Sequence, residues 1–570
     1  MFLAVFWYVM FFDTLSTQFH EKFSNLMSWS LNNCDDSCFS CFILVLAPLF
    51  LGLKNGPLLY LLVTVLFQRL KLVLFLVLLS IFSGCASIDG QQLLEKSETT
   101  HLGYQSSSTL SKKLAPRHDI GDADTGFYPL SHGHDALLAR LALIENAQFS
   151  LDVQYYIYRS DETGNLITWR LFEAAERGVR VRLLLDDMQK RNDKHIAHLN
   201  AHPNIDIRLF NPHQFRHARI TSMATDFERL NRRMHNKSIT ADSVASIVGG
   251  RNVGNEYFSM NTVVEFGDFD MLLYGKAVEE TSEQFDEYWN SLYAVPMELI
   301  FADAREVTEE EMNEMAEEYG LHQKFSEGEY DITQLELYQE MSQGHFELFW
   351  GQAEVWYDLP QKIEDSSSEL VLHLSGALAN TQEKVLFISP YFVPTEYGTQ
   401  QMVKAVKRGK KITIITNSLA SNDVFAVHGW YAKYRDDLVK GGVEIWELKD
   451  NADLDNQWSI TGSSTSSLHA KVIMFDRKKM FVGSMNFDPR SLDLNTEMGV
   501  LIHNAEFTDK AVSEIRQHLP EIAYQLQLED DELVWKDHQN EQIYTQEPNA
   551  GLLLRIGAWF AGILPIEHLL

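Results

Sequence analysis

The feature that most constrains the fold is a pattern met twice at matching places. It consists of a histidine, a lysine two residues on and an aspartate five residues further, at His235/Lys237/Asp242 and again at His469/Lys471/Asp476. From about residue 130 the chain reads as one order of elements repeated. In the first copy Phe149 to Tyr158 is a strand-like run, Gly164 to Arg177 has helical spacing, and Gly178 leads into the strand-like Val179 to Leu185. In the second, Lys384 to Val393, Gly398 to Arg408, Gly409 and Ile412 to Thr416 follow the same order. Each helix ends in Arg-Gly, as expected where glycine supplies a left-handed C-cap. A further strand (Ile205 to Phe210; Val443 to Leu448) precedes each motif run (His235 to Ala241; His469 to Phe475). Strands alternating with helices predict an α/β fold: two similar lobes, each a mixed sheet flanked by helices, packed face to face around one shared active site.

A single His-x-Lys would carry little, because a strand histidine is more often a packed residue than a catalyst. The residues downstream sharpen the pattern. Ser484, Asn486 and Glu497 follow His469 by 15, 17 and 28 residues, and Gly250, Asn252 and Glu265 follow His235 by 15, 17 and 30. Each copy therefore offers an imidazole, an ammonium, a small residue in a glycine turn, an amide and a carboxylate. Lys237, Lys471, Asn252, Asn486 and Ser484 can hold the non-bridging oxygens of a phosphodiester and neutralise developing charge. One imidazole can attack phosphorus while the other protonates the departing alkoxide and later deprotonates the acceptor. Glu265 or Glu497 on the far ring nitrogen would fix tautomer and raise basicity. Asp242 and Asp476 complete the motifs and are counted with the catalytic set. The lysines supply the positive charge, so no metal or other cofactor is expected. His132 and His134 are not read as metal ligands, because Asp135 looks like the N-cap of a helix.

HNKSITAD with GGRNVGNEYF, and HAKVIMFD with GSMNFDPRS, resemble the paired signature of the phospholipase D superfamily over about residues 130 to 570. RLNRRMHNKSITAD, SLDVQYYIY, VRLLLDD and the closing LPIEHLL resemble bacterial cardiolipin synthases, the C type in particular. The resemblance implies two phospholipase D-like lobes and transfer of a phosphatidyl group to phosphatidylglycerol through a phosphohistidine. The implied donor is phosphatidylethanolamine or a second phosphatidylglycerol. It also implies His235 as nucleophile and His469 as acid. A hydrolase releasing phosphatidic acid shares every residue of this set, and a phosphodiesterase acting on nucleic acid is a third reading.

Charge bears on the third. The formal net charge is −31, and residues 1 to 85 contribute none of it. An acidic folded part repels a phosphate polymer, so nucleic acid is not expected as a partner.

Residues 1–85 carry three apolar stretches, Phe2 to Phe12, Phe42 to Leu53 and Leu58 to Phe82. Arg69 and Lys71, the apolar Leu72 to Phe82 and the box Phe82-Ser83-Gly84-Cys85 read as a lipoprotein signal. Cys85 would then carry lipid, and translation would start near Val65. The alternative is an interrupted membrane anchor. The lipoprotein reading is preferred, and both place the protein at the membrane of a bacterial envelope. The four cysteines lie at or before Cys85, so no disulfide staples the catalytic part.

The remainder divides into a flexible tether and lead-in (86–129), a first lobe (130–300), an acidic connector (301–365) with a Thr308/Glu311 capping box, a second lobe (366–525) and a tail (526–570). Tyr155, Tyr156, Tyr391 and Phe392 are expected to line an apolar lipid entrance. Leu552 to Leu570 reads either as an interfacial segment or as a docking helix. Phospholipids and the membrane surface are the expected partners, with room for an accessory protein.

Overall fold

The computed structural model describes residues 93–570 except 117–118, 217, 261–265, 344–347 and 451–466. All four cysteines, the apolar stretches before Cys85 and Glu265 lie outside the described residues.

The repeat is realised strand by strand. The first lobe contains β1 (Thr125–Leu130), β2 (Ser150–Tyr155), β3 (Arg180–Asp186), β4 (Ile205–Phe210), β5 (Ser238–Ala241), β6 (Ala245–Gly249), the short β7 (Phe266–Gly267), β8 (Asp270–Gly275) and β9 (Ala294–Pro296). The second contains β10 (Phe349–Tyr357), β11 (Lys384–Ile388), β12 (Lys411–Asn417), β13 (Glu444–Leu448), the short β14 (Ser467–Leu468), β15 (Val472–Phe475), β16 (Lys479–Gly483), β17 (Met498–His503) and β18 (Ala523–Glu529). In space the first lobe runs β1-β8-β6-β5-β2-β3-β4-β9. The second repeats this as β10-β17-β16-β15-β11-β12-β13-β18. In each lobe three strands are parallel, β2-β3-β4 and β11-β12-β13, and they are linked by crossover helices.

Local chemistry explains the crossovers. Asp161 accepts a hydrogen bond from the Gly164 N–H and starts the helix Glu162–Glu176. That helix and its counterpart, Thr395–Lys407, are each closed by a glycine in the left-handed region, Gly178 at φ 91° and Gly409 at φ 94°. A side chain at either position would be strained.

The lobes join at their edges, because β1 pairs antiparallel with β10 and makes one 18-stranded sheet. They also share a core in which Phe127, Met271 and Leu273 of the first lobe meet Val482, Met498 and Phe507 of the second. Each such fully buried side chain contributes about 1.5–3 kcal/mol, so the relative placement of the lobes is strongly held.

Several expectations are corrected. The segment expected to be a tether is strapped onto the first lobe in its described part. Arg182, ion-paired to Asp152 and Asp286, donates to the Thr99 carbonyl at 2.9 Å, and Trp289 Nε1 donates to Thr99 Oγ1 at 2.9 Å. Tyr104 and Tyr274 share a hydroxyl hydrogen bond of 2.8 Å. The polar run thus gives the buried Arg182 and Arg208 further backbone acceptors, the Thr99 and Ser97 carbonyls. The connector contains β10, the first strand of the second lobe, and its remaining helices add Met312, Ala316 and Leu321 to the first lobe's core. The capping box at Thr308 and Glu311 is present. Asp135 lies in the first turn of the helix Gly133–Asn146, whose cap position is His132. No helix among the described residues is long and apolar enough to cross a membrane.

Candidate active site

Each motif histidine sits just before its strand, in an extended run that pairs with the opposite lobe. The His235 N–H donates to the Thr496 carbonyl at 2.9 Å, and the Thr496 N–H donates back to Arg233 at 2.9 Å. In the second motif β14 pairs in parallel with β7, and the His469 and Ala470 N–H groups both donate to the Gly267 carbonyl, at 2.6 and 3.0 Å. The residue before each histidine is held by the last residue of the lobe's middle parallel strand. Asp186 accepts from the Met234 N–H at 2.9 Å, and Asn417 accepts from Leu468 N–H and donates to its carbonyl, both at 3.0 Å.

The carboxylates cross over. His235 Nδ1 lies 2.8 Å from Glu497 of the second lobe, and His469 Nδ1 lies 2.5 Å from Asp268 of the first. A carboxylate can only accept, so each ring facing one places a proton on Nδ1 and presents Nε2, and at His469 the Lys471 Nζ also lies 2.8 Å from that Nδ1. Both histidines are 6% exposed, which leaves an edge of each ring within reach. The Tyr156 ring stands edge-on to His235 at 4.9 Å, and Tyr257 stands edge-on to His469 at 5.3 Å.

Glu497 is the carboxylate foreseen in the second lobe. For the first lobe, Glu265 lies outside the described residues, and the acid that reaches a histidine is Asp268. Its signal in the sequence is its place just ahead of β8, as Glu497 stands just ahead of β17. The two are supported differently. Ser484 and Ser491 donate to Glu497, the latter at 2.8 Å, and the Glu497 N–H donates to Asp358 at 3.1 Å. Asp268 accepts from the Phe269 N–H at 2.8 Å. Gly250, the counterpart of Ser484, has no room for a side chain, because a Cβ there would stand 2.1 Å from Asp268 Oδ1.

The electrostatics are asymmetric in the same sense. Burial raises the Glu497 carboxyl above the usual range, with Lys237 and the two serines partly offsetting it. For Asp268 burial acts the same way, but His469 and Lys471 outweigh it and hold the carboxyl below that range. Burial, aided by Lys237, Lys471 and His469, pushes His235 well below an ordinary imidazole. His469 is lowered by burial and Lys471, with Asp268 acting against them. The charges of one motif act on the other, so the two form one electrostatic unit. Burial lowers Lys237 to about 7 and Lys471 to about 8, and each ammonium donates to the carbonyl of its own histidine.

Asn252 and Asn486 flank this centre. The Asn252 amide oxygen accepts from the Ile157 N–H at 3.1 Å, and its side chain also hydrogen-bonds Tyr257, the residue that stands edge-on to His469. Asn486 is 7% exposed, and its amide oxygen is buried with no hydrogen-bond partner among the described residues.

Asp242 and Asp476 stand apart from this centre and bond backbone N–H groups. They stand at the far ends of β5 and β15, roughly 16 Å along the chain from the lysines at ~3.3 Å per residue. Asp242 accepts from the N–H groups of Gln148, Phe149 and Ser150, and Asp476 from those of Gln382, Glu383 and Lys384. Both take a left-handed backbone, φ 55° and 52°. They tie the hairpin turn to the start of β2 or β11. Asp242→Ala and Asp476→Ala are each expected to lose about 2–3 kcal/mol of stability by stranding these donors, with turnover per folded molecule within about threefold. Denaturant titration and active-site-normalised kinetics check this, and a folded Asp242→Ala protein with abolished turnover would return it to the chemistry.

The expected entrance is corrected in part. Tyr155 is core, hydrogen-bonded through its hydroxyl to Arg140 at 2.9 Å, and Phe392 is buried and stacked on Phe487. Tyr156 and Tyr391 remain half-buried near the centre. Among the described residues no cluster of His, Cys, Asp and Glu could hold a metal. His134 instead contacts the Glu329 carbonyl at 3.0 Å.

The sequence profile described as cardiolipin synthase, PLD-like domain, matches residues 141–289 and 374–519, once in each lobe. Cardiolipin synthase C of Escherichia coli is 39% identical over 81% of this chain and 99% of its own length. The major cardiolipin synthase of Bacillus subtilis is 24% identical over 75% of this chain and 77% of its own. Among solved structures, phosphatidylserine synthase of Haemophilus influenzae superposes with a TM-score of 0.51 at 14% identity, covering 79% of this chain and 98% of that one. That likeness speaks to the fold.

Proposed function

The chain belongs to the cardiolipin synthase family of phospholipase D-like proteins, and on that premise we propose that it moves a phosphatidyl group onto phosphatidylglycerol through His235 and His469. The observation that carries the proposal is the crossed pair of imidazole–carboxylate contacts. They present two Nε2 atoms from opposite lobes to one polar centre flanked by two lysines.

His235 is the nucleophile. It is the imidazole held more firmly neutral, and a nucleophile needs its free electron pair. Its Nε2 attacks the donor phosphorus, a P–N bond forms, and the P–O bond to the headgroup breaks. His469, beside the ionised Asp268, is the ring better able to carry a proton, and it protonates the departing alkoxide. The bound phosphate's negative charge restores that proton against the effect of burial. His469 then takes the proton of the acceptor hydroxyl, whose oxygen attacks phosphorus as the P–N bond breaks. Lys237, Lys471, Asn252 and Asn486 hold the non-bridging oxygens throughout. The donor is phosphatidylethanolamine, which releases ethanolamine, or a second phosphatidylglycerol, which releases glycerol. The protein works at the surface of a bacterial envelope membrane, and Cys85 is its point of lipid attachment.

Purified protein given vesicles of phosphatidylglycerol and phosphatidylethanolamine should yield cardiolipin and free ethanolamine or glycerol by mass spectrometry. Phosphatidic acid in place of cardiolipin would convert the reading to hydrolysis, and neither product would end it.

The pH profile follows from the lysines. The free enzyme binds an anion with Lys237 and Lys471 charged, and these lose protons as pH rises through about 7 and 8. The basic limb of kcat/KM is therefore expected to fall between pH 7 and 9, well below ordinary lysine titration. On the acid side, protonating His235 removes the nucleophile, so the fall begins below 6.5. A basic limb centred near 10 would contradict the buried-lysine cradle.

A further inference from the structure

We propose that the exposed face of the C-terminal helix Leu552–Ile563 seats the catalytic part on a lipid bilayer, holding the active-site mouth against it. This deepens the reading above and rests on its lipid substrate.

The helix has two unlike sides. On one, Ala558, Ala561 and Gly562 are buried against the helix Phe425–Lys440. The approach is close: a Cβ at Gly429 would stand 2.0 Å from the Ala558 carbonyl oxygen, and one at Gly562 would stand 2.6 Å from that of Gly429. The side is docked and its orientation is set. On the other, Leu552, Leu553, Ile556, Trp559, Phe560 and Ile563 form a stripe at helical spacing, each at least 51% exposed. A contiguous apolar patch of this kind marks a surface that is covered in use. Arg555 is the single charged residue between Gly551 and Ile566, in a chain of net charge −31. The combination of Trp and Phe with aliphatic side chains and almost no charge suits the headgroup–acyl boundary.

Continuity with the site names the occupant. Beyond the helix, Ile566 and Leu570 pack against the cluster of Val393, Val427 and Trp430, as Tyr391 does. The Leu570 and Leu569 carbonyls accept from Arg490 at 2.5 and 3.1 Å, and the charge of Arg490 acts on His235. A few residues of chain thus link the stripe to the catalytic centre. A diacyl lipid can place its phosphorus between buried histidines only if its tails stay in an apolar medium beside the mouth. A second copy of the chain is a poorer occupant. A 12-residue helix offers a face of roughly 18 by 10 Å, far below the ~800 Å² per partner of a stable interface.

The test uses the full chain on vesicles of phosphatidylglycerol and phosphatidylethanolamine containing a phospholipid with a photoreactive diazirine in its acyl chain. Illumination and peptide mapping should place lipid adducts within Leu552–Ile563, apart from any in residues 1–85. The variant L553S/W559S/F560S should lose those adducts and at least tenfold of its turnover on vesicles. It should keep within twofold its turnover of short-chain, monomeric phosphatidylglycerol. No adducts in the helix, or vesicle turnover unchanged in the variant, would overturn the proposal. So would equal losses on both substrates, which would mean the helix acts through the fold, or a protein–protein adduct through the stripe. If the unaltered chain turns over neither the vesicles nor the short-chain lipid, the transfer reading falls, while the adduct map still decides where the helix lies.

Discussion

His235→Ala and His469→Ala are each expected to lower kcat by on the order of 10⁵ to 10⁶, the cost of removing a nucleophile or its proton partner where the two act as a unit. The double variant should be little worse than either single one, because once one half of the relay is gone the other has nothing to work with. The two losses differ in kind. His469→Ala keeps the attacking imidazole, so a substrate whose leaving group needs no proton, such as a nitrophenyl phosphodiester, should still deliver one equivalent of leaving group and leave a phosphorylated protein. His235→Ala should give neither burst nor adduct. Rapid-quench kinetics with intact-protein mass spectrometry reads both. An adduct in His235→Ala and none in His469→Ala would exchange the two roles.

The crossed carboxylates give the second large effect. Asp268→Asn and Glu497→Gln should each reduce kcat by about 10⁴, the loss expected when an imidazole keeps its place but loses the acceptor that fixes its tautomer. That corresponds to about 5.5 kcal/mol of barrier. The crossing predicts which step each change damages. Glu497→Gln should behave as a first-step defect, because its carboxylate serves His235 of the other lobe. Asp268→Asn should be partly rescued by a good leaving group, because it serves His469. If each acid instead matched the histidine of its own lobe, the crossed arrangement would be wrong.

Their stabilities should also diverge. The folded state raises the Glu497 carboxyl, so above the ordinary carboxylate range its charge costs stability, and Glu497→Gln should melt at the same temperature or higher. The folded state lowers Asp268, whose charge contributes stability above the unfolded pKa that is lost as pH falls through the folded value. Asp268→Asn should therefore melt lower at neutral pH. Calorimetry at pH 7 separates the two.

Much of this centre is legible in the chain because its parts are local. His-x-Lys spacing, the Arg-Gly helix ends and the order of strands are set within a few residues by backbone geometry, and a duplicated order of elements predicts a duplicated lobe. The strand bounds at Ile205–Phe210 coincide with expectation, and the crossover helices differ from it by only a few residues. The strap at Thr99 and Tyr104 reads as a polar tether because nothing nearby in sequence announces the buried Arg182 and Trp289 that it satisfies. The strand Phe349–Tyr357 hides in an acidic connector because its partners, β1 and β17, lie more than a hundred residues away on either side.

The same distinction separates the motif residues by role. Asp242 and Asp476 share the catalytic pattern, but the pattern spans a whole strand, and only the fold reveals that they close its far end. The sequence by itself determined the duplicated α/β architecture, the two histidines and the two lysines, because these depend on side-chain chemistry and short-range spacing. The tertiary structure alone decided that Asp268 takes the carboxylate role beside His469, that each acid serves the opposite lobe, and that the last helix docks by one side and bares the other. Those facts arise from contacts between segments far apart in the chain, where the packing of the lobes rather than any local preference sets which groups meet.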